Sequence, residues 1–409
     1  MRIAYFAGTM KPGHDGVTRV LYRTSEYLSE REIEHVFFSP LTPPENEQIT
    51  PMFTVPSIEF PLYKEYRFPL PGQKQIEEHL AEFHPDILHI NSPCSLGYAA
   101  IIYGKKNNIP VVATYHTHFA SYARYYKVKA LERFSWSYFR KIYNSCEKVY
   151  VPSLPLVDEL HEHRIDNLEC IPHGTDTVTF HPMHKDESWK EKKGIGKNFS
   201  LLFVGRLVWE KDLRTLAAAY KLIMARRSDA TFVLAGDGPA REELQALMPE
   251  ATFLGFQSGA DLSRAYASSD LFVFPSTTET FGNVTLEAMA SAIPPICADQ
   301  GGASGIIRDG ITGFLTKPRD AEDLAAKIEF LLDHPERRAE MAKQAFLFGQ
   351  EQTWERSFQK MLLSYDSVIK AYAAKKSADA GKPKGKISRI IFEPINRRKA
   401  AWAQSRIAH

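Results

Sequence analysis

Ser200-Leu201-Leu202-Phe203-Val204-Gly205 is an apolar run that stops on a glycine. Arg206-Leu207-Val208-Trp209-Glu210-Lys211-Asp212 follows it, and the pattern from Asp212 to Ala225 is helical. A short buried strand, a glycine-bearing turn and a helix make half of a βαβ unit, and the unit recurs. Downstream, Ala230 to Ala235, Thr252-Phe253-Leu254, Leu271 to Phe274 and Pro295-Ile296-Cys297 read as further strands. Residues from Asp320 to about Tyr372 read as helical. Strands that alternate with helices form a parallel sheet covered on both faces.

The same alternation fills the first half. Ile3-Ala4-Tyr5-Phe6 is an apolar strand, and Val17, Val20, Leu21, Thr24 and Leu28 then recur at helical spacing. His35 to Phe38, Asp86 to Ile90, Pro110 to Thr114 and Lys148 to Val151 read as later strands, with a helix over Ser95 to Lys106. Thr42 to Pro71 is rich in proline and reads as a long irregular connection with short strands. Between Phe180 and Lys197 proline, charge and glycine replace the periodic pattern, as in a linker. The expected organisation is an α/β chain of two Rossmann-like domains, residues 1–182 and 183–372. The last helix is expected to return to the first domain, and residues 373–409 to form a basic, partly flexible tail. A cleft between two such sheets binds ligands at the C-terminal ends of the strands.

The 409 residues suffice for two ordinary domains with real cores. Lys370 to His409 holds eleven Lys/Arg against two Asp/Glu, a local charge of +9 in a chain of net charge +2, so the remainder carries −7. A basic tail on an acidic body suits an anionic partner, with lipid the expectation here rather than nucleic acid. Four cysteines without a CxxC pair point to a reducing, cytoplasmic compartment. The start of the chain lacks the pattern of a signal peptide, and no apolar run reaches the roughly 18 residues of a membrane span. A membrane role is therefore expected at the surface, on the inner face.

Three loops carry chemistry. Gly8-Thr9-Met10-Lys11-Pro12-Gly13-His14-Asp15-Gly16 leads into a helix, whose first amides, including that of Gly16, suit a phosphate; a plain turn would need the same glycines. The loop is not GxGxxG, which argues against a nicotinamide dehydrogenase. Arg206 and Lys211 lie between a strand and a helix, where a guanidinium fork and a compact ammonium can stabilise a departing diphosphate. In Thr278-Glu279-Thr280-Phe281-Gly282-Asn283-Val284-Thr285-Leu286-Glu287-Ala288-Met289-Ala290, two glutamates flank a Phe-Gly-Asn turn. Glu287 can accept both hydroxyls of a ribose and Glu279 those of a sugar, with the Gly282 and Asn283 amides between them. The bland alternative for Glu287 is a glutamate favoured by the helix dipole.

These stretches resemble the retaining family 4 glycosyltransferases of GT-B architecture, in particular those that form glycolipids. Glu279 to Glu287 looks like the family's E-x7-E signature, and Gly205-Arg206 with Lys211 resembles its diphosphate clamp. Gly301-Gly302 and Asp309-Gly310-Ile311-Thr312-Gly313-Phe314-Leu315 are similar to its C-terminal signature, and the likeness runs from Met1 to about Ile369. Gly305 departs from the pattern, since relatives usually carry an acidic residue there. The resemblance implies a UDP- or GDP-sugar donor, front-face displacement with retention and no metal or other cofactor. It assigns Arg206 and Lys211 to the leaving phosphate and Glu279, Phe281, Gly282 and Asn283 to the sugar. Glu287 goes to the ribose, and Gly16 assists the phosphate.

On the acceptor side, Tyr115-His116-Thr117-His118-Phe119 ends a strand, and the resemblance makes His116 the active-site histidine. His118 is a second histidine, but no carboxylate cluster accompanies the pair and no Asp-x-Asp motif occurs, so a metal is rejected. Tyr122 to Lys141 interleaves aromatic and basic residues, as at an anionic bilayer; core packing with a solvated basic face is the equal alternative. The expected acceptor is a membrane lipid or glycolipid. A soluble polysaccharide or metabolite acceptor, an epimerase on the same architecture and a non-catalytic nucleotide-sugar binder remain as alternatives. Turnover of donor without acceptor marks the epimerase, and no turnover marks the binder.

Overall fold

The computed structural model describes residues 1–12, 16–60, 63–70, 72–116 and 129–380. The first half runs β1 (Ile3–Phe6), α1 (Gly16–Ser29), β2 (His35–Ser39), β3 (Met52–Thr54), β4 (Ser57–Phe60), β5 (Tyr63–Pro69), α2 (Gln73–Phe83) and β6 (Ile87–Ile90). It continues with α3 (Ser95–Asn107), β7 (Val111–Thr114), α4 (Lys129–Tyr143), β8 (Lys148–Val151), α5 (Leu154–Glu162) and β9 (Leu168–Cys170). A single helical turn, α6 (Trp189–Lys192), precedes the second half. That half runs β10 (Phe199–Val204), α7 (Leu213–Arg226), β11 (Ala230–Ala235), α8 (Arg241–Leu247), β12 (Thr252–Gly255), α9 (Gly259–Ala267) and β13 (Leu271–Phe274). Then come α10 (Asn283–Ala290), β14 (Pro295–Ala298), β15 (Phe314–Thr316), α11 (Ala321–Asp333), α12 (Pro335–Glu351) and α13 (Trp354–Ala380).

Two parallel sheets result. The first has the order β3-β2-β1-β6-β7-β8-β9 and the second β12-β11-β10-β13-β14-β15. In each the chain first builds outward on one side and then returns to the other side of its first strand. The reversals lie between β1 and β6 and between β10 and β13, where helices leave in opposite directions and open a crevice at the strand ends. Period-two alternation explains the cores: Phe6, Phe38, Leu88 and Ile90 face one side of the first sheet, and Tyr5, Phe37, Ile87 and Val112 the other. On that second face α13 contributes Phe358, Tyr365 and Val368, so the chain comes back to the first sheet after completing the second. The core of the second half joins Leu201 to Val204, Phe232 to Leu234 and Leu271 to Phe274 with α7, α10 and α11.

The structure refines three sequence expectations. The short strands expected in the proline-rich connection are β3, which joins the main sheet, and β4 and β5, which pair antiparallel. Residues 374–380 are helical, since Ala374, Lys375, Lys376 and Ala378 are strong helix formers and no Gly or Pro intervenes before Gly381. Of the two readings of the aromatic-basic stretch, Trp136 and Phe139 follow core packing: both are buried in the core of the first half, and Trp136 stacks on His163 at 3.6 Å between centroids. Their helix exposes Lys141 instead. Residues Met1–Ile369 form one compact unit and Lys370–His409 another. Residues 117–128, which include His118 and the start of the aromatic-basic stretch, lie outside the described residues, as do Gly13 to Asp15 and the tail beyond Ala380. No described helix is long and apolar enough to cross a membrane.

Candidate active site

The loops that leave β1, β6, β7, β10 and β13 converge, as the strand order requires. From the second half, Gly205 follows β10, and a 3-10 turn over Trp209–Lys211 leads to Asp212 at the start of α7. Asp212 takes a left-handed φ of 53°, a conformation that costs a non-glycine residue. Its carboxylate offsets that cost: it accepts from the Thr277 amide at 2.9 Å, the Thr277 hydroxyl at 2.6 Å and Arg319 Nε at 2.9 Å. Thr278 Oγ1 donates to the Glu210 carbonyl at 3.0 Å. The loop after β13 is thereby stitched to the loop after β10, and Lys211 Nζ meets Glu279 Oε1 in a largely buried ion pair. Ser276 Oγ donates to the same carboxylate oxygen at 3.3 Å. Arg206 lies on the same loop and is exposed.

Past Glu279 the backbone is crowded. A Cβ on Gly302 would lie 2.0 Å from the Thr280 carbonyl oxygen, and the Gly302 amide donates to the Glu279 carbonyl at 2.6 Å. Gly282 holds φ 92° directly before α10. No side chain other than hydrogen satisfies these two positions, which is why the turn carries glycines. Asn283 opens α10, whose N-cap residue Gly282 gives its first amides no side-chain hydrogen bond. Phe281, expected to contact sugar, is buried against Leu286, Met289 and Ile306, so it supports the turn from behind.

Glu287 sits one turn into α10 and is 5% exposed. One carboxylate oxygen accepts from Tyr266 OH at 3.0 Å, the other from Arg19 Nη1 at 3.3 Å. Burial raises its carboxyl to about 7, against the opposing pull of Arg19 and the Tyr266 hydroxyl. Arg19 belongs to α1 of the first half, in the first turn after Gly16. A Cβ on Gly16 would meet nothing within 4 Å, so the backbone there is open. Gly305, the departure from the family pattern, packs across the two halves: a Cβ would lie 2.7 Å from Pro155 Cδ at the start of α5. A side chain at this position requires Pro155 or the Gly305 backbone to shift.

The first half contributes neutral groups. His116 follows β7, and its Nε2 bonds Asn91 Oδ1 at 2.9 Å, just past β6. Thr280 Oγ1 donates to the His116 carbonyl at 3.0 Å, and Ser153 Oγ donates to the Thr280 carbonyl at 2.9 Å. His173 bridges in the same way: its Nδ1 bonds Asn283 Oδ1 at 3.0 Å. Burial holds the His116 imidazole well below its usual range, assisted by His173 and His89, and brings His173 down to about 4. Both rings are uncharged at neutral pH.

Ion pairs and hydrogen bonds thus link Lys211 with Glu279, Glu287 with α1, Thr280 with His116 and Asn283 with His173, while the Phe281 ring packs between its own core cluster and His173. Sequence reasoning missed Arg19, Asn91, His173, Asp212 and Tyr266. His173 carried one signal, a histidine between Pro172 and Gly174 directly after a strand; the others carried none. Among the described residues no three His, Cys, Asp or Glu side chains are grouped to hold a metal ion.

Residues 14–179 match Glycosyltransferase Family 4, and residues 185–348 match Glycosyl transferases group 1. A GDP-mannose-dependent alpha-mannosyltransferase of Corynebacterium glutamicum is 34% identical, over 90% of this chain and 89% of its own length. A protein of the same description from Mycolicibacterium smegmatis is 31% identical over 90% and 98%. An alpha-monoglucosyldiacylglycerol synthase of Streptococcus pneumoniae is 28% identical over 77% and 75%. Among solved structures, a sucrose-phosphate synthase of Thermosynechococcus elongatus superposes with a TM-score of 0.75 at 22% identity, over 90% of this chain and 99% of that one. A glycosyltransferase of Rickettsia africae gives 0.72 at 20% identity, over 90% and 98%. These likenesses establish the GT-B fold.

Proposed function

The chain belongs to the group 1, family 4 glycosyltransferases, enzymes that use nucleotide sugars, and from that premise we propose a retaining hexosyltransferase that moves mannose from GDP-mannose to a hydroxyl of a membrane lipid or glycolipid. The donor is inferred from the two mannosyltransferases that align over nine-tenths of the chain, the lipid acceptor from the diacylglycerol-glycosylating relative. The observation that carries the chemical reading is the stitched pair of loops in which Lys211 meets Glu279. Catalysis is proposed to be positioning plus charge stabilisation. The C1–O bond to the β-phosphate breaks while the acceptor oxygen bonds C1 from the same face, and the acceptor proton passes to a departing phosphate oxygen. Lys211, Arg206 and the amides of Gly282, Asn283 and Gly16 stabilise the developing diphosphate. Glu287 accepts the ribose hydroxyls, Glu279 a sugar hydroxyl, and neutral His116 lines the face that receives the acceptor. No metal takes part.

A donor panel of GDP-mannose, UDP-glucose, UDP-galactose and UDP-N-acetylglucosamine, with and without diacylglycerol or a glycolipid in mixed micelles, tests this reading by mass analysis of products. Mannosyl lipid from GDP-mannose is expected. Donor rearrangement without acceptor would replace the transferase by an epimerase, and a product formed only with soluble acceptors would replace the lipid.

A further inference from the structure

His116 and His173, both of the first half, stand with their ring centroids 6.2 Å apart. Each imidazole has one nitrogen committed and one unpartnered. His116 Nε2 is taken by Asn91 Oδ1 and His173 Nδ1 by Asn283 Oδ1. Both partners are amide oxygens, which only accept, so in each ring the committed nitrogen carries the proton. His116 is then the Nε2–H tautomer and His173 the Nδ1–H tautomer. The remaining nitrogens, His116 Nδ1 and His173 Nε2, are lone-pair acceptors. Both are fully buried and without a protein partner, and so is the Asn91 amide nitrogen, a donor. All three residues line one cavity with Thr114, Trp354 and Ser357. Two orphan acceptors and an orphan donor on one cavity are costly unless something occupies it. An anion finds two repelling lone pairs and a cation finds no carboxylate. Neutral O–H groups, which donate and accept, fit all three atoms when two protons are supplied, as by one water molecule or by two neighbouring hydroxyls.

We propose that His173 is a second hydroxyl-binding histidine of the active site, acting with His116 as a paired acceptor for a neutral O–H ligand. The two donated protons come either from two hydroxyls of the transferred sugar or from one water molecule held against it. His173 thereby connects the acceptor-side histidine to Asn283, the first residue of the donor-side helix, and Phe281 and Trp354 hold its ring at centroid distances of 5.0 and 5.7 Å. The inference rests on the transferase reading of His116 but assigns a new residue to it.

Two measurements test it on the full chain. Long-range proton–nitrogen spectra of histidine-labelled protein read the tautomers without any substrate. Opposite tautomers are expected, both neutral between pH 6 and 8; a proton on His173 Nε2 would overturn the proposal. With GDP-mannose, His173→Phe keeps the stacking and removes both nitrogens, and kcat/KM is expected to fall about 10-fold with an unchanged melting point. His173→Gln, which retains an acceptor oxygen, recovers most of that loss. A set of mono-deoxymannose donors separates the sources. If the sugar supplies the hydroxyl, the penalty vanishes with one deoxy donor; if water does, it is equal with all. An unchanged His173→Phe enzyme, or a glutamine variant no better than phenylalanine, would refute the role of His173. An unchanged His116→Phe enzyme would instead remove the reading of His116.

Discussion

The two halves share one topology and bring opposite chemistry to the cleft. The second half offers ions: Lys211 paired with Glu279, Arg206 on the same loop, and buried Glu287. The first half offers uncharged acceptors and donors, His116, Asn91 and Thr114, beside which His173 also lies. The strand order explains why both sets gather at carboxyl ends, since each sheet opens its crevice there. It does not explain the chemical contrast, which follows from what each end is proposed to hold. A diphosphate needs charge that is already in place, because the leaving group gains charge as the bond breaks. Sugar and acceptor hydroxyls need neutral partners that neither repel nor trap them. Arg19 is the exception that joins the halves, a cation of α1 on a carboxylate of α10.

The largest effect expected from breaking this contrast lies in the ionic half. Lys211→Ala and Arg206→Ala should each lower kcat by about 10²-fold or more with the fold retained, as circular dichroism would check. Near-normal turnover in both would erase the distinction between the halves. Next comes Glu287→Gln, expected to weaken donor binding about 10-fold by calorimetry and to leave acceptor KM unchanged. The pH dependence sharpens this. With its carboxyl at about 7, Glu287 loses its charge as pH falls, so wild-type donor affinity should decline below pH 7 and the Gln variant should lack that decline. Stability runs the other way. A carboxyl raised in the folded state favours folding while protonated, and that contribution is lost as pH rises from the unfolded value through about 7. Glu287→Gln should therefore raise the melting point above pH 7.

Arg19→Ala is a smaller perturbation. Without its cation the Glu287 carboxyl rises further, and the pH midpoint of donor binding should move upward. The shift should stay below about one unit, because Arg19 is more than half exposed and screened. An unmoved midpoint would show that the pair does not act on the donor site. The smallest effect expected is none: EDTA should leave turnover unchanged, and activity lost to chelation and restored by Mg²⁺ or Mn²⁺ would mean that a cation supplies what Lys211 and Arg206 are proposed to supply.

Local pattern made most of the fold legible. Ser200 to Ala225 shows a strand, a turn and a helix within one window, and the paired glutamates of 279–287 share a single loop and helix. Contacts that topology makes between distant segments were not legible. Arg19 meets Glu287 across 268 residues and His173 meets Asn283 across 110, and neither partner marks the other in sequence. Burial was not legible in two places. Phe281 was read as a sugar contact, and Trp136 as part of either a bilayer surface or a core-packed helix; the structure packs both into cores, and their own segments are too short or too crowded in apolar residues for periodicity to show which face is inside. Gly305 is the reverse case: its departure from the pattern was visible, but the crowding by Pro155, 2.7 Å from where a Cβ would stand, was not.

The most direct test of the account is the anomeric configuration of the product. Mannosyl lipid formed from GDP-mannose at early reaction times, before any rearrangement, can be read by the one-bond carbon–proton coupling at C1. Front-face displacement at an ionic diphosphate site predicts the α-linked product from the α-configured donor. A β-linked product would contradict it, because inversion needs a base opposite the leaving group.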